Sequence, residues 1–92
     1  MMTKPTRADL LRDVAGILAD HLGVASSTPI DEGTRFFADL GLASIDAVVL
    51  SEALQNHYDR PLPFHELMAE IGRRSERDLS IGELVGFLAK HL

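Results

Sequence analysis

Apolar residues recur at helical spacing in four stretches of the chain. In the first, Leu10, Leu11, Val14, Ile17, Leu18 and Leu22 follow an i, i+3/i+4 rhythm. Thr6 precedes it with Asp9 three residues on, close to a capping box, and Gly23 is placed to end it in a left-handed turn. The pattern predicts a helix over about 7–22 with one buried face. Residues 23–43 show no period. Ser26, Ser27, Thr28, Pro29 and Gly33 are loop chemistry, and Ile30, Phe36, Phe37, Leu40 and Leu42 are the expected anchors of this loop to the core. A loop of that length in a small domain is unusual and often functional.

A second helical pattern runs from Ser44 to about Tyr58 and has two apolar sides. Ala47, Leu50, Leu54 and Tyr58 share one stripe, whereas Ile45, Val48, Val49 and Glu52 lie nearly opposite. The first stripe is assigned to the core and the second to partner docking, unless the long loop covers Ile45 and Val48. Asp59-Arg60-Pro61-Leu62-Pro63 breaks the helix. Phe64, Leu67, Met68 and Ile71 then give a short helix over about 63–71, with Pro63 as its first residue and Gly72 as its stop. Arg73 to Asp78 reads as a solvated, mixed-charge connection. Ser80 and Glu83 form a capping box for a last helix, about 80–91, with Ile81, Leu84, Val85, Leu88 and Leu92 as its apolar stripe. Gly82 and Gly86 weaken that helix, for no reason visible beyond close packing. The whole is an all-α four-helix bundle with three main helices, one short helix and a long first loop. It is expected to be a single domain, 1–92, with residues 1–5 flexible.

Composition narrows the chemistry. A net charge of −5 argues against nucleic-acid binding, which needs clustered Lys and Arg. There is no apolar run for a signal peptide or a membrane span, so a cytoplasmic protein that does not bind membranes is expected, with nothing that demands more than a monomer. Cysteine is absent, which excludes disulfides, thiolate metal sites and side-chain thioesters. His21, His57, His65 and His91 form no i, i+4 pair and no HExxH arrangement, so no metal site is expected; His21 lies near the apolar side of the first helix and is expected to be half-buried. No phosphate-binding glycine loop is present, and no G-x-S-x-G elbow that would make Ser44 a hydrolase nucleophile.

Ser44 remains the candidate. It stands after Leu40-Gly41-Leu42-Ala43, where a Gly-punctuated turn meets a helix start, and it is expected to be the N-cap. A phosphate on its hydroxyl would meet unpaired N–H groups and the positive end of the helix dipole. Phe37-x-x-Leu40-Gly41-Leu42-x-Ser44-Ile45-Asp46 resembles the attachment motif of acyl and peptidyl carrier proteins, commonly Leu-Gly-x-Asp-Ser-Leu or Leu-Gly-Gly-His-Ser-Leu. Here Ala43 stands where acyl carriers commonly have Asp, and Ile45 replaces Leu. Leu79 to Leu88 also resembles the final helix of these proteins, and the likeness extends over roughly residues 7–91.

The resemblance implies a free-standing carrier that is not itself an enzyme. Ser44 would bear a covalent 4′-phosphopantetheine arm, installed from coenzyme A by a phosphopantetheinyl transferase, whose thiol holds intermediates as thioesters. The partners would be that transferase and the acyl- or aminoacyl-loading and chain-processing enzymes, meeting the chain at Leu42, Ala43, Ile45, Asp46, Val48, Val49 and Glu52. Between Ser44 and Tyr58 only Asp46 and Glu52 are acidic. Carriers of primary fatty-acid synthesis usually have a more acidic second helix, so the pattern favours polyketide or nonribosomal-peptide assembly. The alternatives are a fatty-acid carrier and a small helical interaction module without a prosthetic group.

Overall fold

A computed structural model describes residues 4–25 and 27–92. The flexible start expected at 1–5 therefore lies outside the described residues for positions 1–3, as does Ser26 of the loop. Four helices appear in order: α1 (Arg7–Leu22), α2 (Ser44–Tyr58), α3 (Phe64–Gly72) and α4 (Ile81–His91). Among the described residues there is no strand, only an isolated antiparallel bridge between Arg35 and Ser80.

Helix α1 begins as its sequence predicts. The Thr6 hydroxyl accepts from the Asp9 N–H at 3.1 Å, and the Asp9 carboxylate accepts from the Thr6 N–H at 3.1 Å. It ends at Gly23, whose φ of 69° is the left-handed conformation that glycine adopts without steric cost. Leu10, Val14, Ile17 and Leu18 are buried. Helix α1 packs against both α2 and α4, which contribute Ala47, Leu50 and Leu54, and Ile81, Leu84, Val85 and Leu88. The core stripe of α2 is thus the one its spacing indicated. The Tyr58 hydroxyl donates to Asp13 at 2.8 Å and ties the end of α2 to α1. Burial first, and then this bond to a carboxylate, pushes the phenol's pKa well up.

Helix α3 starts one residue later than its sequence suggests. Pro63 sits at the cap with φ −80° and ψ 60°, and Phe64 N–H donates to Leu62 C=O at 2.8 Å. This is an inverse γ-turn centred on Pro63, which orients the chain before the first helical residue. Gly72 is the last helical residue rather than the stop, and it does not adopt a positive φ. Arg73 N–H closes the end by donating to Glu70 C=O, and Arg74 N–H donates to Ile71 C=O, each at 3.1 Å. His21 is exposed rather than half-buried; the apolar stripe turns past it through Leu18 and Leu22.

The connection from Arg73 to Leu79 is more than a solvated surface. Leu79 is buried in the core. Arg74 pairs with Glu70 and Glu83. Arg74 and the Ser80 cap together hold the Glu83 carboxylate below its ordinary pKa, against the opposing effect of burial.

Candidate prosthetic-group attachment site

The long loop reaches Ser44 in three steps, the first two held by hydrogen bonds to the segment that opens α4. First, Gly82 N–H donates to Glu32 C=O, Ile81 N–H to Thr34 C=O and Phe36 N–H to Leu79 C=O, each at 2.8 Å. Gly82 has a reason here that packing density alone does not supply. A Cβ at this position would lie 2.8 Å from the Glu32 carbonyl oxygen. Gly86 has no such constraint; its nearest neighbour would be an Arg7 nitrogen at 3.5 Å.

Second, residues Arg35 to Leu40 close a helical turn, with Asp39 and Leu40 N–H groups both donating to Arg35 C=O. The start of any such turn leaves N–H groups without partners. Asp78 supplies them from the far side of the chain. Its carboxylate accepts from Phe37 N–H at 3.0 Å, Ala38 N–H at 3.1 Å and its neighbour Leu79 N–H at 2.8 Å. Burial alone would raise the Asp78 pKa, but these three donors outweigh it, and with nearby Arg35 they hold it below the usual carboxylate range. Phe36, fully buried, anchors the turn in the core, and Ile30, Phe37, Leu40 and Leu42 pack around it as the sequence predicts.

Third, Gly41 takes φ 66° and turns the chain into α2. The cap of α2 is Ala43, not Ser44. The Asp46 carboxylate, three residues on, accepts from Ala43 N–H at 2.7 Å. That is the acidic half of a capping box, and it sets the register one residue earlier than the serine's own capping preference suggests. Ser44 becomes the first helical residue. It is exposed, and among the described residues its hydroxyl is engaged in no hydrogen bond. A serine at the cap would have its oxygen occupied by first-turn N–H groups; one position later, the oxygen is free for substitution.

The expected docking residues surround it. Ile45 is 67 % exposed, Val48 52 % and Val49 36 %, so the loop does not cover them. Ala43 and Glu52 are exposed, Asp46 is half-buried in its capping bond, and Leu42 is half-buried against the core at the margin of the patch. Adjoining this patch through Val48 lies an open groove of about 420 Å³ that Ser44 also lines, with Phe37, Val48, Met68 and Ile71 as apolar lining and Arg77 as its basic residue. No histidine lines it. Neither this groove nor the role of Asp78 is legible in the sequence, because Met68, Ile71, Arg77 and Asp78 lie 24–34 residues beyond Ser44 and reach the loop only through the fold.

A family model described as "Phosphopantetheine attachment site" matches residues 12–72. The chain is 33 % identical over 78 residues to an acyl carrier protein of Clostridium acetobutylicum, covering 85 % of this chain and 90 % of that one. It is 30 % identical over 83 residues to acyl carrier proteins of Sinorhizobium fredii and Rhizobium meliloti, covering 90 % of this chain and 95 % of each. No solved structure matches. The chain belongs to the family of phosphopantetheine-bearing acyl carrier proteins. It is therefore a carrier and not itself an enzyme, and its prosthetic group is covalent 4′-phosphopantetheine. The site suits that group: a free serine oxygen at a helix N-terminus, beside a groove with an apolar floor and one cation. The family works with a phosphopantetheinyl transferase and acyl-processing enzymes. No helix among the described residues is long and apolar enough to cross a membrane.

Proposed function

We propose that Ser44 is the attachment point and that the chain is a carrier domain for polyketide or nonribosomal-peptide assembly. The observation that carries the attachment is the offset cap: Ala43 takes the cap and leaves the Ser44 hydroxyl exposed and uncommitted. With coenzyme A held by the transferase, the Ser44 oxygen attacks the phosphorus that bears the pantetheine. The pyrophosphate bond breaks, adenosine 3′,5′-bisphosphate leaves, and the hydroxyl proton passes to the transferase. The first turn of α2 supports the resulting phosphodiester with its N–H groups and dipole. Once attached, the arm supplies a thiol that holds acyl cargo as a thioester.

The assignment to specialised metabolism rests on the exposed face of α2. Three of its residues beside Ser44 are aliphatic and well exposed. Contiguous apolar side chains left in water mark a contact surface. A partner with an apolar recess fits this face better than one relying on basic residues alone.

The test is intact mass after incubation with coenzyme A, Mg²⁺ and a broad-specificity transferase, beside Ser44→Ala. Gain of one phosphopantetheine by the native chain alone is the expected outcome. No gain by folded protein, with several transferases tried, overturns the assignment. Loading and turnover by polyketide, peptide and fatty-acid enzymes then separate the pathways.

A further inference from the structure

We propose that Arg77 is an anion-binding residue for the phosphodiester of the arm, a role that rests on attachment at Ser44. The phosphodiester must sit beside the Ser44 oxygen and carries one negative charge throughout the neutral range. Its surroundings are acidic: Asp39 precedes it, Asp46 follows it, and the chain as a whole carries −5. Arg77 is the basic residue of the groove that Ser44 also lines.

Four of the other arginines are held in ion pairs: Arg7 with Glu32, Arg12 with Asp9, Arg35 with Glu76, and Arg74 with Glu70 and Glu83. Arg60 donates to His91 C=O at 3.5 Å, and Arg73, although unpaired among the described residues, does not line the groove. Among the described residues Arg77 enters no ion pair and no hydrogen bond, and it is exposed. A planar guanidinium matches two phosphate oxygens at once, which an ammonium does not. The apolar floor formed by Phe37, Val48, Met68 and Ile71 offers no competing anion to that fork. Arg77 from the α3–α4 connection and the first-turn N–H groups of α2 would then meet the phosphodiester from two sides. This ties the base of the arm to the groove while its thiol end stays free to move.

The experiment uses the full chain and its Arg77→Gln and Arg77→Lys variants, each treated with transferase, coenzyme A and Mg²⁺. Because Arg77 is exposed, neither change should unfold the protein, and amide spectra check this. Intact mass comes first: no gain by the native chain overturns both attachment at Ser44 and the role of Arg77. Where mass is gained, ³¹P spectra are compared among the modified forms, and the Arg77 Nε–Hε resonance is followed before and after modification.

The expected result is that this resonance moves on attachment. The native ³¹P resonance should differ from that of Arg77→Gln, with Arg77→Lys between them. Near 1 M salt, where the screening length is about 3 Å, the native signal should approach the Gln form. Identical ³¹P resonances in native and Gln forms, with an unmoved Arg77 signal, overturn the role of Arg77 and leave the attachment intact. Movement of the Arg77 signal only after loading a dicarboxylic acyl group, and not a monocarboxylic one, assigns the cation to the cargo's carboxylate and overturns the phosphodiester assignment.

Discussion

Two carboxylates decide where Ser44 sits. Asp46 fixes the cap of α2 at Ala43, and Asp78 holds the turn that precedes it. Asp78 is the more exacting, since it answers Phe37, Ala38 and Leu79 N–H groups together. Asp78→Ala leaves Phe37 and Ala38 N–H groups with no acceptor and should cost about 1–3 kcal/mol in urea unfolding. Asp78→Asn keeps one acceptor oxygen and should cost less. Protonation should act like the substitution. The folded-state pKa of Asp78 is lowered, so its contribution is complete above the unfolded carboxylate pKa and is lost as pH falls through the depressed folded value. Glu83, lowered by Arg74, behaves with the same sign. Unfolding free energy measured from neutral into acid should therefore fall for the native protein and fall less for Asp78→Ala. Equal acid slopes would show that Asp78 holds no charge-dependent bond.

At the scale of elements, α4 contains a paired test of why its glycines are there. Glycine inside a helix costs up to about 1 kcal/mol relative to alanine. Gly86 has room for a Cβ, so Gly86→Ala should stabilise by about 0.4–1 kcal/mol. At Gly82 the added carbon would press on the Glu32 carbonyl at 2.8 Å, so Gly82→Ala should destabilise despite its better propensity. Opposite signs in urea unfolding are expected; stabilisation by both would mean that the loop is not held at Gly82. The same pair shows what was legible in the sequence. The helices could be read because Thr6, Gly23, Ser80 and Glu83 carry start and stop signals within a turn of the residues they govern. The loop's course could not, because its bonds run to residues 78–82, some forty positions away. Close packing is the one reason the sequence suggests for Gly82, and its partner, the Glu32 carbonyl, lies fifty positions earlier. The one-residue error at Ser44 had another origin: serine is itself a good cap, and the competing Asp46–Ala43 bond decides the register only once the turn at Gly41 is formed.

For the whole molecule, the division of labour on α2 means that fold and recognition should be separable. One stripe, Ala47, Leu50 and Leu54, is spent on the core, while Ile45, Val48 and Val49 face solvent. Exposed side chains contribute little to stability, so Ile45→Ser and Val48→Ser should change unfolding free energy by no more than about 0.5 kcal/mol. If partners seat these side chains in an apolar recess, each truncation forfeits burial worth about 1.5–3 kcal/mol when complete. Since both start partly covered and a partner need not enclose them fully, a loss of roughly tenfold in kcat/KM for a cognate loading enzyme, or about 1.4 kcal/mol, is the expected size. Salt gives the independent check. Recognition through carboxylates meeting a basic patch weakens as screening rises, whereas apolar docking is little affected. The protein's charge of −5 makes the first behaviour the natural alternative. A KM that holds between low and moderate salt, together with the loss in Ile45→Ser and Val48→Ser, would place recognition on the aliphatic face. A KM that rises steeply with salt while both variants turn over normally would return recognition to the acids and remove the argument for a specialised assembly line.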